Sequence, residues 1–335
     1  MSRPGSIRER VIPRMPEPRG PMSEVLIDAI RAKVDRRPSR IDVPDGLDPW
    51  GDDLQLSLTV CHELHYRGWV DAGRDCEWDP AVIDARVRLE DRFLDAVADR
   101  LSPLSDEGTA DAELGALARA VPEGATAHLR RHGTEDEFAD YFKARSIYHL
   151  KEADPHAWAI PRLRRDAKAA FVAVEFDEYG GGRGERVHQE LYADLLSATG
   201  LDHSYLGYLN DAPAVVLATV NLISCLALRG SRRGATVGHF AATEMTSPVG
   251  SAWLLKGLER IDAPEAARHF YREHVEADAV HELVMRDQVV APLIADEPDL
   301  ADDVVYGIRA LQAVESRLDD AFVDAWNAGR SLMRC

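Results

Sequence analysis

Residues 270–283 read FYREHVEADAVHEL and contain three side chains that commonly bind metals. His274, Asp278 and His281 follow one another at intervals of four and three residues, so an α-helix would carry all three on one face. The apolar residues between them are typical of a helix inside a protein core. The segment also contains three glutamates, and on its own the pattern is equally typical of a solvated acidic helix.

Residues 174–188, VEFDEYGGGRGERVH, contribute a second pair of candidates. Glu178 and His188 are ten residues apart, which on an unbroken helix turns their side chains about 80° away from each other. The glycines between them allow a bend that would aim both inward. The alternative is a glycine that ends one helix before an ordinary surface helix. A phosphate-binding loop is disfavoured, because no strand precedes these glycines and the lysine-containing motif is missing.

Two more glutamates complete the candidate set. Glu244 lies in the otherwise apolar HFAATEMTSP, and a buried carboxylate there needs a partner such as a metal. Glu152, in YHLKEADP, is on local sequence equally a metal ligand or a solvated charge. Imidazole and carboxylate together favour iron or manganese, and helical bundles hold two irons with Glu and His from facing helices. Four carboxylates would balance two ferrous ions, which makes burying the site less costly.

The rest of the sequence predicts helices almost throughout, so we expect an all-α fold with helix-on-helix packing. The apolar run 212–228 is about 17 residues long and carries polar groups, which indicates a buried core helix rather than a membrane span. Helix starts are predicted at Asp79-Pro80, at the capping box of Thr134 and Glu137, at Ser247-Pro248, and at Asp262 with Glu265.

Composition narrows the partners and the compartment. The chain has 335 residues and a net charge of −18, which repels nucleic acid and anionic membrane surfaces. Its four cysteines form no CxxC pair, and no signal peptide is visible. We therefore expect a cytoplasmic protein that binds neither nucleic acid nor membrane.

Together these segments resemble the haem-oxygenase-like di-iron oxidases and oxygenases, often described as iron-containing redox enzymes. The likeness covers roughly residues 145–290 and rests on DPHAWAIPRL, DEYGGGRGERVH, the Glu244 helix and HVEADAVH. It implies a haem-oxygenase-like helical bundle over residues 131–335, after a disordered arm (1–22) and an N-terminal helical segment (23–130). It implies these metal ligands: Glu178, His188, Glu244, His274, Asp278 and His281.

The resemblance also suggests a reaction. Members that oxygenate nitrogen are similar in carrying an extra carboxylate ligand, and Glu152, 26 residues before Glu178, stands where that ligand would be. This implies a non-haem di-iron oxygenase that uses O2, through a peroxo-diferric intermediate, to convert a small amine to a hydroxylamine or nitro compound in secondary metabolism. Glu152, Glu178 and Glu244 would be the catalytic carboxylates, with Glu178 or Glu244 bridging the irons. His188 and His281 would bind one iron, and His274 with Asp278 the other.

Two alternatives remain open at this stage. The same centre could desaturate, or break a C–C bond in, an amino or fatty acid, or the chain could be a non-catalytic binding protein of the same fold. An external electron donor is needed, because no flavin or NAD fingerprint is present, and a homodimer is expected. His62 and His65 are interpreted as structural. A substrate carboxylate would need an arginine, and these lie near the ligand helices: Arg145, Arg162, Arg164 and Arg165.

Overall fold

The computed structural model describes residues 12–334, except for the side chains of residues 276–279. Every regular element in these residues is helical, which confirms the all-α prediction. The α-helices are α1 (Pro21–Arg31), α2 (Asp52–Glu63), α3 (Pro80–Ala98), α4 (Ala110–Arg119), α5 (Gly124–Arg131), α6 (Glu135–His149), α7 (Arg165–Glu178), α8 (His188–Ala198), α9 (Ala214–Ala227), α10 (Arg233–Arg260), α11 (Glu265–Val284), α12 (Ala291–Asp296) and α13 (Ala301–Asn327).

Helices α10 and α13 cross at the centre of the bundle. Each supplies a glycine at the crossing, because a Cβ on Gly238 would overlap the carbonyl of Val304 and a Cβ on Gly307 would overlap the carbonyl of Ala235. The two backbones therefore touch directly, as close packing through small residues allows. Helix α11 also packs against α10. This arrangement brings α10 and α11, which carry most of the candidate ligands, side by side.

The N-terminal helices share a core with the rest of the chain. Met15, Leu58 and Phe93 belong to the same buried cluster as Phe142 and Phe322. The predicted boundary at residue 130 therefore does not separate two hydrophobic cores. The predicted arm is also too long, because residues 12–22 pack against the protein and α1 begins at residue 21. Residues 1–11 lie outside the described part of the chain.

Two of the four predicted helix starts are confirmed. The Asp79 carboxylate accepts the backbone N–H groups of Ala81 and Val82 at the start of α3, and Thr134 forms the capping box with Glu137. The start at Ser247-Pro248 is wrong, because Pro248 lies inside the 28-residue helix α10. Proline costs that helix one hydrogen bond, to the carbonyl of Glu244 four residues earlier, and packing on both sides of α10 outweighs the loss.

The other predicted long helix also differs from the expectation. Helix α11 begins at Glu265 after Pro264, without a side-chain cap from Asp262. It ends at Val284 and continues as wider π-helical turns over Met285–Val290. Such turns often occur at functional sites, and this one begins four residues, about one helical turn, after His281.

The predicted core helix at residues 212–228 is α9, and nearly all of it is buried. No single helix in the described residues has both the length and the apolar character needed to cross a membrane. Helix α9 with Gly230–Arg260 passes that test only as a pair, bent by 101°.

Candidate metal centre

Six of the seven predicted ligands converge, and all six are buried. Glu178 is the last residue of α7, His188 is the first residue of α8, and Glu244 lies in the middle of α10. His274 and His281 lie on α11, and Glu152 lies in the turn that follows α6. The seventh, Asp278, is within α11, but its side chain lies outside the described residues.

The first group of ligands consists of Glu152, His188 and His274. One ligand atom from each lies within 4.8 Å of the others. The ring centroids of His188 and His274 are 4.4 Å apart, and Glu152 Oε2 lies 3.6 Å from His274 Nε2. This group contains two imidazoles and one carboxylate.

The second group consists of Glu178, Glu244 and His281, again with ligand atoms within 4.8 Å of one another. His281 Nδ1 lies 3.2 Å from Glu244 Oε2 and 3.5 Å from Glu178 Oε1. On its other edge, His281 Nε2 lies 3.3 Å from Asp177 Oδ2. That outer carboxylate fixes the orientation of the ring, as carboxylates around metal sites commonly do.

Glu178 connects the two groups. Its Oε2 lies 2.7 Å from His188 Nδ1 in the first group, while its Oε1 lies 3.5 Å from His281 Nδ1 in the second. One oxygen toward each group is the arrangement of a bridging carboxylate. Glu178, one of the two predicted candidates for the bridge, thus contacts a histidine of each group. The geometry also corrects the expected pairing of His188 with His281, because His188 lies with His274.

The spacing and the donors fit metal ions. Two ligands bound at right angles, each roughly 2.1 Å from an ion, lie about 3 Å apart, close to the separations found in both groups. His274 Nδ1 donates to the carbonyl of Phe270 at 2.9 Å, so its Nε2 carries the lone pair and faces Glu152. Glu152 Oε2 and His188 Nδ1 belong to buried side chains, and each faces another candidate ligand atom: His274 Nε2 at 3.6 Å and Glu178 Oε2 at 2.7 Å.

A short glycine turn explains how α7 and α8 can aim Glu178 and His188 at the same place. Gly180 has φ 73°, in the left-handed region. A Cβ at that position would come within 2.7 Å of the backbone of Arg186 and Val187. Only glycine meets both conditions without strain, so the turn depends on this residue.

His149 supports Glu152, a role that the sequence analysis did not identify. Its Nδ1 lies 2.9 Å from Glu152 Oε1, which leaves Oε2 facing the other ligands of the first group. Burial raises the pKa of Glu152, but the charge of His149 and the hydrogen bond from it, with His274, outweigh burial and hold that pKa well below its usual range. Burial lowers the pKa of His149. Glu152 is therefore held as an anion.

Glu175 is a further carboxylate that sequence reasoning missed. It lies one turn before Glu178 on α7 and is 2% exposed, and neither of its oxygens makes a hydrogen bond within the described residues. Burial, together with the charges of Glu178, Glu244 and Asp154, raises its pKa to about 9. The spacing of three from a predicted ligand was the available signal.

His62, Glu90 and Cys225 form a further cluster of residues of the kinds that bind metals, but here they belong to a network of hydrogen bonds and ion pairs. His62 Nε2 lies 3.0 Å from Glu90 Oε1, and Cys225 is close to the same ring. Arg229 Nε, at 2.6 Å, and Arg86 Nε, at 3.3 Å, already supply cations to Glu90. The structural role predicted for His62 agrees with this network.

A cavity of about 770 Å³ reaches the first group of ligands and is lined there by His149, Glu152 and His274. Among the four candidate arginines, Arg145 also lines this cavity. Arg162 instead donates to the carbonyls of Ala227 and Leu228. Arg164 and Arg165 line a separate pocket of about 180 Å³.

A family model described as "iron-containing redox enzyme" matches residues 139–316, which is just over half of the 335 residues. The matched range contains all seven predicted ligands. A search of curated proteins finds no match to the chain.

Proposed function

The chain belongs to the iron-containing redox enzyme family, and we propose that it is an O2-dependent, non-haem di-iron oxygenase that oxygenates the nitrogen of a small amine. Its membership of this family supports an iron-containing oxidoreductase. The observation that carries the proposal is that Glu152 joins His188 and His274 in one buried group.

Two irons are supported by two ligand groups that share one carboxylate. Glu152, His188 and His274 would hold one ion, and Glu178, Glu244 and His281 the other. Glu178 would contribute one oxygen to each. With Asp278, which the family resemblance implies as a ligand and which we expect to bind the same iron as His274, four carboxylates would balance two ferrous ions. Bound irons would supply the electrons that activate O2.

The protein's own residues would bind the substrate on the Glu152 side. Among the candidate ligands whose side chains the structure describes, Glu152 and His274 line the cavity, so an amine in the cavity meets the first group first. Tyr148 and Phe270 line the same part of the cavity and limit access of water. The reacting nitrogen needs its lone pair, so the amine must be neutral when it reacts.

Each oxygenation places one oxygen atom of O2 in an N–H bond and reduces the other atom to water. That step consumes two electrons and two protons, which an external reductant and solvent must supply. Repetition of the step takes an amine to a hydroxylamine and then toward a nitro compound. Glu152, Glu178 and Glu244 are the carboxylates that we propose for the catalytic centre.

The proposal is tested by loading the protein with Fe(II) without oxygen and then adding O2, a reductant and a panel of small amines. We expect product masses that increase by one oxygen atom, and we expect Glu152→Ala to abolish that product. The exposed Glu185→Ala, on the loop before His188, is the matched control. If the products are those of desaturation or C–C cleavage, the enzyme reacts at carbon and the N-oxygenation proposal is wrong. If the protein binds less than about one iron per chain, the oxygenase proposal itself is wrong.

A further inference from the structure

The cavity that reaches Glu152 has a second, charged end formed by α6 and α13. Arg145 Nη1 and Nη2 lie 3.0 Å and 2.7 Å from the two carboxylate oxygens of Glu315. Asp319 lies one turn further along α13 and lines the same cavity. This end of the cavity therefore contains one guanidinium group, which can bind an anion, and two carboxylates, which can bind a cation.

The guanidinium of Arg145 has donors to spare. An arginine has five N–H donors, and Glu315 takes one from each terminal nitrogen. The Nε–H is buried and makes no hydrogen bond within the described residues. The side chain is 17% exposed, so few waters compete for it. Arg145 can therefore keep its pair with Glu315 and still receive a ligand carboxylate.

The hydroxyl of Tyr271 gives independent support for a ligand at this end. Tyr271 is 3% exposed, lines the cavity, and its hydroxyl makes no hydrogen bond within the described residues. A buried tyrosine hydroxyl normally has a partner. A carboxylate in the cavity would provide one.

The two ends of the cavity call for different groups on one ligand. Arg145 lies on α6 and Glu152 lies in the turn that follows it, and both line the cavity. An amino acid with a second, terminal amino group, such as ornithine or lysine, offers a carboxylate and an ammonium group to the charged end and a nitrogen to Glu152. A simple diamine would leave the arginine unused, and a fatty acid would leave the carboxylates unused.

We propose that the cavity takes an α-amino acid with a terminal basic nitrogen. Arg145 and Tyr271 bind its carboxylate, Glu315 and Asp319 bind its α-ammonium group, and the side-chain nitrogen lies beside Glu152. This inference rests on the proposed function for what happens to that nitrogen, but the binding of the head group does not depend on the reaction.

Binding is measured by calorimetry on the Fe(II)-loaded protein without oxygen. The probes are lysine and ornithine, cadaverine (which lacks the carboxylate) and 6-aminohexanoate (which lacks the α-ammonium group). We expect lysine or ornithine to bind at least about tenfold more tightly than either truncated probe, since each charged hydrogen-bonded contact is worth about that factor. Equal or tighter binding of cadaverine, or no binding of any probe, overturns the proposal.

Variants assign the contacts. Tyr271→Phe removes only an unpaired hydroxyl, so we expect unchanged folding and iron content, about fivefold weaker binding of the amino acid, and unchanged binding of cadaverine. Tyr208→Phe, whose hydroxyl accepts the backbone N–H of Asp202, is the control. Unchanged binding of the amino acid by Tyr271→Phe overturns the assignment of that contact.

The two proposals fail in distinguishable ways. Tight, carboxylate-dependent binding of lysine or ornithine without an oxygenated product would remove N-oxygenation and keep the head-group site. Oxygenated amines formed equally from cadaverine and lysine would keep N-oxygenation and remove the head-group site.

Discussion

The side-chain amide of Gln189 donates a 3.0 Å hydrogen bond to the backbone carbonyl of Glu152. Gln189 follows His188 on α8, so this bond joins α8, which carries His188, to the turn after α6 that carries Glu152. The Oε1 of Gln189 in turn accepts from Arg67 Nη2 at 2.7 Å, and the same nitrogen donates to the carbonyl of Leu150 at 3.0 Å. The N-terminal part of the chain therefore supports the first ligand group.

Removing this amide should loosen the first group while sparing the second. We expect Gln189→Ala to weaken one of two iron-binding steps by about 10- to 100-fold, the usual effect of losing a residue that orients metal ligands. An anaerobic Fe(II) titration measures both steps. The exposed Gln288→Ala is the control, and a weakening of both steps by Gln189→Ala to the same extent would contradict the expected selectivity.

Glu178 contacts a histidine of each ligand group, whereas the contact described for Glu244 is with His281 of the second group. If Glu178 bridges the irons, we expect Glu178→Ala to weaken the binding of both. Glu244→Ala should leave about one iron per chain. Iron analysis after anaerobic loading measures the difference, and the reverse pattern would make Glu244 the bridge.

The crossing of α10 and α13 predicts a large effect of a single methyl group. In Gly238→Ala the new Cβ would overlap the carbonyl of Val304, and we expect a loss of about 3 kcal/mol in the free energy of unfolding. Gly250→Ala lies in the same helix with nothing within 4 Å of its Cβ, and we expect a gain of roughly 0.5–1 kcal/mol. Urea unfolding compares them, and equal stability of the two variants would contradict the close approach.

Asp319 predicts a pH dependence. Burial raises its pKa to about 6, against the opposing charge of Arg145 and with help from Glu315. The folded protein therefore binds this proton more tightly than the unfolded chain. The stabilisation from this proton is complete below about pH 4 and is lost as the pH rises through about 6.

We therefore expect Asp319→Asn to be more stable than the parent protein at about pH 8, by on the order of 2 kcal/mol. The difference should shrink toward zero below about pH 4. Urea unfolding of the iron-free proteins at about pH 4, 6 and 8 measures it. A variant that is less stable than the parent at the highest pH would show that the carboxylate helps folding more than its burial costs.

Local patterns predicted much of this protein. Helical periodicity and caps such as Asp79 and Thr134 depend on neighbouring residues, and they identified the all-α fold. The order and spacing of Glu178, His188, Glu244, His274 and His281 identified side chains that the structure brings together.

The errors involve contacts between distant parts of the chain. Pro248 reads as a helix start, but packing against other helices keeps α10 intact through it. Arg67 and Gln189 carry no metal-binding signal, because their role depends on a meeting between residues 122 positions apart. The glycine turn after Glu178 sets the direction in which α8 leaves α7, and this direction decides which histidine lies beside which carboxylate. The spacing of the residues in the sequence does not specify that direction.

The central claim is that two irons bind side by side and share Glu178. Anomalous diffraction at the iron edge, from crystals loaded with Fe(II) without oxygen, tests it most directly. The account predicts two iron peaks, one among Glu152, His188 and His274 and one among Glu244 and His281, each bonded to a different oxygen of Glu178. A single peak, or two peaks of which one is out of bonding reach of Glu178, would contradict it.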